Sequence, residues 1–455
     1  MGYKLLDGIR VLDLTMVFAG PISSKMLAAL GAEVIKIESA SRSDVFTRAN
    51  VYPENEPGEE PWNRGSIFHS LNAGKRGISL NLGSEKGREI FKRLVELSDV
   101  VMENFSPRVM ENWGLGYEEL RKLRPDLIMV SMSGLGHYGP LRDYYMLMSG
   151  MEGMSGLTHI TGHPNEPPLI SGHAYGDWML GTTGAATLLV ALYHRKKTGR
   201  GQYIDVAGRE AAICQIGEVI MDYTLNGREQ TRVGNHHSSA APHGCYRCQG
   251  SDNWVNIAVE NDEQWMMFCQ AIGNPAWTNE ERFGDALNRW KNRKELDRLV
   301  EEWTSQHEHY EAMKILQKAG VPSGAVLNMK EIHLDPHLVE RGFFEVIDHG
   351  RGIGKRPIAQ QIPAKFSGIE SFVPERAPIF GQDNEYVFCD LLRMSKEEMS
   401  KLEEEKVIGG TPAFPPGRPT RVDFIKKQEA GCFDPDYLGE LRKEYGEDIG
   451  LSGID

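Results

Sequence analysis

Gly8-Ile-Arg-Val-Leu-Asp-Leu-Thr15, Ile22-Ser-Ser-Lys-Met-Leu-Ala-Ala-Leu30 and Glu33-Val-Ile-Lys-Ile-Glu38 together decide the fold class. The first and third segments are short apolar runs with the length and β-branched content of buried strands. Between them, Ile22 to Leu30 reads as a helix closed by Gly31. With Met16-Val-Phe-Ala-Gly-Pro21 read as a turn, the unit is strand, helix, strand, and so short a connection makes the two strands parallel neighbours. A GxGxxG run is missing after the first strand, so the dinucleotide fingerprint is absent although the topology is Rossmann-like. Ala19-Gly20-Pro21 instead lets a ligand approach the backbone at the carboxyl end of a strand.

The alternation continues outward. Residues 39–70 read as irregular, with an acidic, proline-bearing loop from Pro53 to Pro61. Leu71 to Asn81 reads as a strand, and Ser84 to Leu97 as an amphipathic helix with Ile90, Phe91, Leu94 and Val95 on one face. A strand at Asp99–Phe105, a helix closed by Gly114, a helix at Tyr117–Leu123 and a strand at Leu127–Ser131 follow, and after Gln202–Ala207 a helix from Arg209 to Leu225 leads out. The expected fold class is α/β, with a Rossmann-like large domain built on a parallel sheet plus a smaller α/β domain. The boundaries drawn are 1–225 for the first part of the large domain, 235–330 for the small domain, 331–395 for a return to the large domain, and 396–455 for a C-terminal extension. Within the small domain, Trp254–Val259 reads as a strand and 262–272, 293–305 and 308–319 as helices. The extension, with a charged helix at Ser395–Lys406 and a Pro-rich run from Gly409 to Pro419, reads as a wrapping or subunit-contact arm.

Composition narrows the function classes. A formal charge of −13 over 455 residues argues against a general nucleic-acid binder. Ala185 to Tyr193 is the longest apolar run and is too short to span a bilayer, and Met1 to Leu6 lacks a signal-peptide core, so no membrane partner and a cytoplasmic location are expected. The six cysteines (214, 245, 248, 269, 389, 432) are scattered as reduced thiols are. Cys245-Tyr-Arg-Cys248, preceded by His236, His237 and His243, raises a zinc site, but no second CxxC or spaced His pair follows and no metal is expected.

One acid stands apart. Ser171-Gly-His-Ala-Tyr-Gly-Asp-Trp-Met-Leu-Gly-Thr-Thr-Gly184 sets Asp177 where a small-residue turn feeds an apolar helix, so backbone N–H groups are its main source of solvation. Such an aspartate either caps the helix or does chemistry.

The collinear order Val11-Leu-Asp-Leu-Thr, Ala19-Gly-Pro, Gly31-Ala-Glu-Val-Ile-Lys-Ile-Glu38, Leu71-Asn-Ala-Gly-Lys-Arg76, Glu103-Asn-Phe105, Gly139-Pro140, Thr161-Gly-His-Pro164, Gly176-Asp177 and Thr198-Gly-Arg-Gly-Gln202 resembles the class III CoA-transferases, of which the formyl-CoA and carnitine enzymes are typical and α-methylacyl-CoA racemase is a close relative. The likeness runs to about residue 385. It implies that Asp177 is the catalytic aspartate, that CoA lies against Ala19, Leu71, Lys75, Asn104, Phe105 and Arg108, and that the chains form an interlocked homodimer. A carboxylate of this kind attacks a thioester, expels CoA thiolate and forms a mixed anhydride, which the thiolate converts to an aspartyl-CoA thioester. A CoA thioester, such as succinyl-CoA or acetyl-CoA, and a carboxylic acid are then the substrates, with no tightly bound cofactor.

Departures from the family pattern bear on the acyl site. Phe18 and Ser39 stand where formyl-CoA transferase has Gln and Arg, which suggests a more apolar acyl pocket, with Arg42 offered as compensation. Arg232-Val-Gly-Asn-His-His-Ser-Ser239 replaces a glycine-run loop, and Gly234 as hinge with His236 beside it is expected to cover the substrate. The racemase's His-Asp pair falls at Met146–Met148, where neither residue is present. A partner subunit of a heteromeric transferase is the other alternative. Replacing Asp177 by its amide is expected to abolish exchange while barely moving the melting point.

Overall fold

The computed structural model describes residues 4–49, 51–350, 352–369, 372, 375–413, 434 and 436–451. They divide into two compact units, one comprising 1–157, 171–218 and 333–455 and the other 158–170 and 219–332. The stretch 158–170, which the sequence placed in the large domain, joins the smaller unit. Positions 414–433, 435 and 452–455, part of the expected extension, lie outside the described residues.

In the larger unit, β1 (Arg10–Asp13), β2 (Glu33–Glu38), β3 (Arg76–Ser79), β4 (Val100–Glu103), β5 (Ile128–Ser133) and β6 (Gln202–Ala207) form one sheet in the order β3-β2-β1-β4-β5-β6. Every pair in it is parallel. Alternation along the strands supplies two cores, as a sheet covered on both faces requires. Leu12, Ile35, Val101 and Met129 pack with Ile90, Phe91, Leu94 and Val95 of the helix Glu85–Glu96. Val11, Val34, Val100 and Ile128 face Leu27 and Ala28 of α1 (Ala19–Ala29) and Leu180, Leu188 and Ala191 of the helix Tyr175–Thr198. Strand order reverses between β1 and β4, and at such a switch the carboxyl ends leave a crevice open to ligands. The chain returns to this sheet near its end, where Asp383 and Asn384 accept from the N–H groups of Gly77 (2.8 Å) and Ser79 (2.9 Å) on the edge strand β3.

Three elements depart from expectation. The turn before α1 is shorter, because the helix begins at Ala19 and takes Pro21 into its first turn, where the missing N–H would have no intrahelical partner anyway. Leu71 and Asn72 end a helix, Ser66–Asn72, rather than open a strand, and β3 starts only at Arg76 after Gly74 (φ +75°) turns the chain. The single helix expected over Arg209–Leu225 is two, Gly208–Ile213 and Gly217–Asn226, joined by a 3₁₀ turn.

The smaller unit carries an antiparallel sheet of β7 (His243–Arg247), β8 (Trp254–Ala258) and β9 (Ser323–Val326). Val255 and Ile257 pack on Phe268, Leu296, Val300 and Leu316 from the helices Asp262–Ala271, Arg293–Thr304 and His309–Lys318. Among the described residues no helix is long and apolar enough to cross a membrane.

Candidate active site

Asp177 is the third residue of the helix Tyr175–Thr198, and it does not cap that helix, whose N-cap position is Ala174 with no side-chain bond. The glycines that follow decide where it goes. A Cβ at Gly181 would stand 2.6 Å from the carbonyl oxygen of Ala19, and one at Gly184 2.7 Å from Ser23 Oγ. Without those side chains the helix closes onto α1 backbone to backbone, and the Ser23 hydroxyl donates to the Gly181 carbonyl across the contact. This approach delivers the Asp177 carboxylate to the N-terminus of α1, where it accepts from the Ala19 N–H. Phe18, the N-cap residue of α1, supplies no side-chain acceptor, so Asp177 meets an otherwise unserved donor.

Burial pushes the Asp177 carboxyl up to about 6; the Ala19 N–H pulls the other way, and the like charge of Glu152 adds to the rise. The group is thus mostly ionised at neutral pH yet more basic than a solvated carboxylate, a combination suited to a nucleophile. Glu152, buried on the helix Met148–Ser155, accepts from the Ser171 N–H at 3.0 Å and so ties down the turn ahead of Asp177. Sequence reasoning missed Glu152, because one acid in a Met- and Gly-rich helix carries no signal of its own.

Side chains tie down the loop that follows β1. Asn104 accepts from Met16 N–H and donates to Met16 carbonyl, both at 2.8 Å, and Asp44 accepts from Val17 N–H at 2.9 Å. Val17 is held at φ +67°, a strained conformation for a β-branched residue. Asn104 therefore shapes the turn that presents Phe18 and Ala19. Phe18 meets Phe46 edge to face at 5.8 Å, and Phe46 is exposed. Leu71 is buried at the end of the helix Ser66–Asn72, and Phe105 packs edge-on against Trp113 at 5.7 Å. Arg108 is exposed and lies 2.8 Å from Asp143. Arg42 is exposed as well.

Lys75 requires a correction. Its side chain is fully buried, and its ammonium lies 3.0 Å from Asp13, 2.7 Å from Ser24 and 2.9 Å from Asn72. All three protons are spent on the core beneath β1, so the cation expected to meet a CoA phosphate is a structural counter-ion. Burial lowers its pKa to about 8 against the opposing pull of Asp13.

Gly234 and His236 belong to the smaller unit. Gly234 (φ +66°) donates its N–H to the Gly162 carbonyl at 2.9 Å, and a Cβ there would stand 2.9 Å from His163 Nδ1. Its role here is a close backbone contact with the Thr161–Pro164 motif. His236 Nε2 lies 2.8 Å from Asp297, whose other oxygen accepts from the Tyr246 hydroxyl at 2.7 Å. In the CxxC, burial pushes the Cys248 thiol up to about 11, away from the thiolate that metal or redox chemistry uses.

Similarities to known proteins agree with this geometry. The family model described as CoA-transferase family III matches residues 6–384. The chain is 33% identical over 404 residues to succinyl-CoA–D-citramalate CoA-transferase of Chloroflexus aurantiacus, covering 89% of this chain and 98% of that protein. It is 32% identical to the succinyl-CoA–L-malate CoA-transferase alpha subunit of Chloroflexus aurantiacus, covering 89% and 92%. The crystal structure of a CAIB/BAIF family protein from Brucella suis superposes with a TM-score of 0.76 at 32% identity, covering 85% of this chain and 99% of that one. The chain therefore belongs to CoA-transferase family III and is an enzyme of the CoA-transferase type.

Proposed function

We propose that the enzyme moves CoA from succinyl-CoA to a second carboxylic acid, itself a dicarboxylate, in the cytoplasm, with Asp177 as the covalent nucleophile. The observation that carries this is a part-buried carboxylate with its pKa raised to about 6, held by the N-terminus of α1 beside the sheet's switch point. The substrates named for the two Chloroflexus relatives support the choice of acids.

In the first step an Asp177 oxygen attacks the thioester carbonyl, the carbon–sulfur bond breaks, and CoA leaves as thiolate from a succinyl–aspartyl anhydride. The thiolate then attacks the aspartyl carbonyl of that anhydride, which releases succinate and leaves an aspartyl-CoA thioester. The acceptor carboxylate repeats both displacements in reverse, and Asp177 is regenerated. No net proton transfer is required, so the protein's work is to position the groups and exclude water. Ala19, Leu71, Asn104 and Phe105 are proposed to line the CoA site, with Arg108 as a phosphate contact once it exchanges Asp143 for the ligand. Phe18 supplies apolar area at the acyl end.

Incubation with succinyl-CoA, trapping with hydroxylamine and peptide mass analysis tests the reading. Modification confined to the peptide holding Asp177 is expected, and a modified peptide without Asp177 overturns it. A homodimer is proposed as the working unit; because one relative is named as an alpha subunit, native mass of the chain alone and coexpressed with gene neighbours separates this from a heteromer.

A further inference from the structure

Among the described residues of the larger unit, three lysines are buried, namely Lys25, Lys36 and Lys75. Lys75 binds Asp13, and Lys36 donates to the Thr15 carbonyl at 2.6 Å. Lys25 has no hydrogen-bond or ion-pair partner among the described residues, although it is only 7% exposed. An ammonium on a side chain this enclosed, with no acceptor from the protein, is left for water or an anion to serve.

The surroundings say which anion fits. Lys25 projects from α1, and its Nζ stands 5.0 Å from the ring centroid of Trp178, the residue that follows Asp177. Long side chains on a helix point back toward its N-terminus, here the end whose Ala19 N–H holds Asp177. Lys75 repels Lys25, and Asp13, the carboxylate that Lys75 holds at 3.0 Å, is already neutralised, so Lys25 has no protein counter-ion of its own among the described residues. Burial lowers the Lys25 pKa to about 8, which leaves it charged at neutral pH. One cation in a nearly closed place, flanked by an indole, suits a single carboxylate; a phosphate dianion asks for several donors and open water.

We infer that Lys25 and Trp178 receive the distal carboxylate of a dicarboxylic acyl group while Asp177 attacks its other end. This deepens the proposed function and rests on it. Lys25 would be a specificity residue: it touches the part of the substrate that does not react, and it selects succinyl over an uncharged acyl chain of equal length.

The test compares succinyl-CoA with butyryl-CoA in single-turnover formation of the hydroxylamine-trapped acyl-enzyme, for the wild type and Lys25→Met. The wild type is expected to prefer succinyl-CoA, and the variant to lower the succinyl/butyryl ratio about tenfold or more, as expected for loss of a charge-assisted bond. Met removes a desolvated charge and keeps the volume, so the melting temperature is expected to hold or rise, and a melt confirms the fold. A wild type without the preference, or a folded variant that keeps it, overturns the inference. Absence of acyl label on Asp177 with either thioester would instead overturn the covalent mechanism beneath it.

Discussion

Asp177→Asn separates a working carboxylate from a structural one. The carboxyl sits at about 6 in the folded chain against an ordinary value of 3.8. A raised folded value means that the group's contribution to stability is fully present below pH 3.8 and is lost as pH rises through 6, so the ionised form strains the fold at neutral pH. Two pKa units correspond to about 3 kcal/mol, and partial exposure reduces this to roughly 1–2 kcal/mol. The lost Ala19 N–H bond is recovered in part by the amide oxygen. The variant is therefore expected to lose CoA exchange and to be more stable than the wild type at pH 7.5, with the gap closing toward pH 4. This differs from the expectation drawn from sequence, that the melting point barely moves. Urea unfolding at pH 4.5, 6 and 7.5, with turnover measured on the same samples, checks both halves. A variant less stable than the wild type at pH 7.5 would show that the carboxylate is there to hold α1, and retained exchange would refute its role as nucleophile.

Other outcomes follow from the same geometry. Gly181→Ala puts a Cβ 2.6 Å from the Ala19 carbonyl, so it should lower stability by about 1–3 kcal/mol and, by moving Asp177, cut kcat about tenfold or more; a melt and a turnover assay read it. Lys75→Met leaves Asp13 buried without its ion-pair partner and is expected to destabilise by about 3–5 kcal/mol in urea unfolding, whereas a phosphate contact would raise KM for acyl-CoA and spare stability. Glu103, fully buried at the end of β4 with His137 Nε2 at 3.6 Å, is pushed up by burial to about 7 from an ordinary 4.5. Its stabilising contribution is present below pH 4.5 and lost as pH rises through 7, so Glu103→Gln should match the wild type at pH 4.5 and exceed it by roughly 2–3 kcal/mol at pH 8 in denaturant melts.

The parallel sheet was legible because a strand buried on both faces is apolar at most positions, as Val11-Leu12 and Val34-Ile35 show. The helix Glu85–Glu96 was legible for a similar reason, its apolar face recurring at helical spacing. Leu71 and Asn72 misled, since alternation over a few residues looks like a strand when a short helix runs into one. Asp177 was found through its setting, an acid between a small-residue turn and an apolar helix, and through resemblance. The arrangement around it was not.

What the sequence determined by itself is the order of strands and helices, the family, and the acid on which the chemistry is proposed to turn, because each is written in local pattern or collinear motif. Only the tertiary structure decided what each charge meets. Lys25, Lys36 and Lys75 look alike along the chain, yet one has no hydrogen-bond or ion-pair partner among the described residues, one holds a carbonyl and one neutralises Asp13. Burial and partnership depend on where distant segments come together, and the raised pKa of Asp177 likewise comes first from burial and then from the like charge of Glu152, a proximity that no stretch of sequence contains.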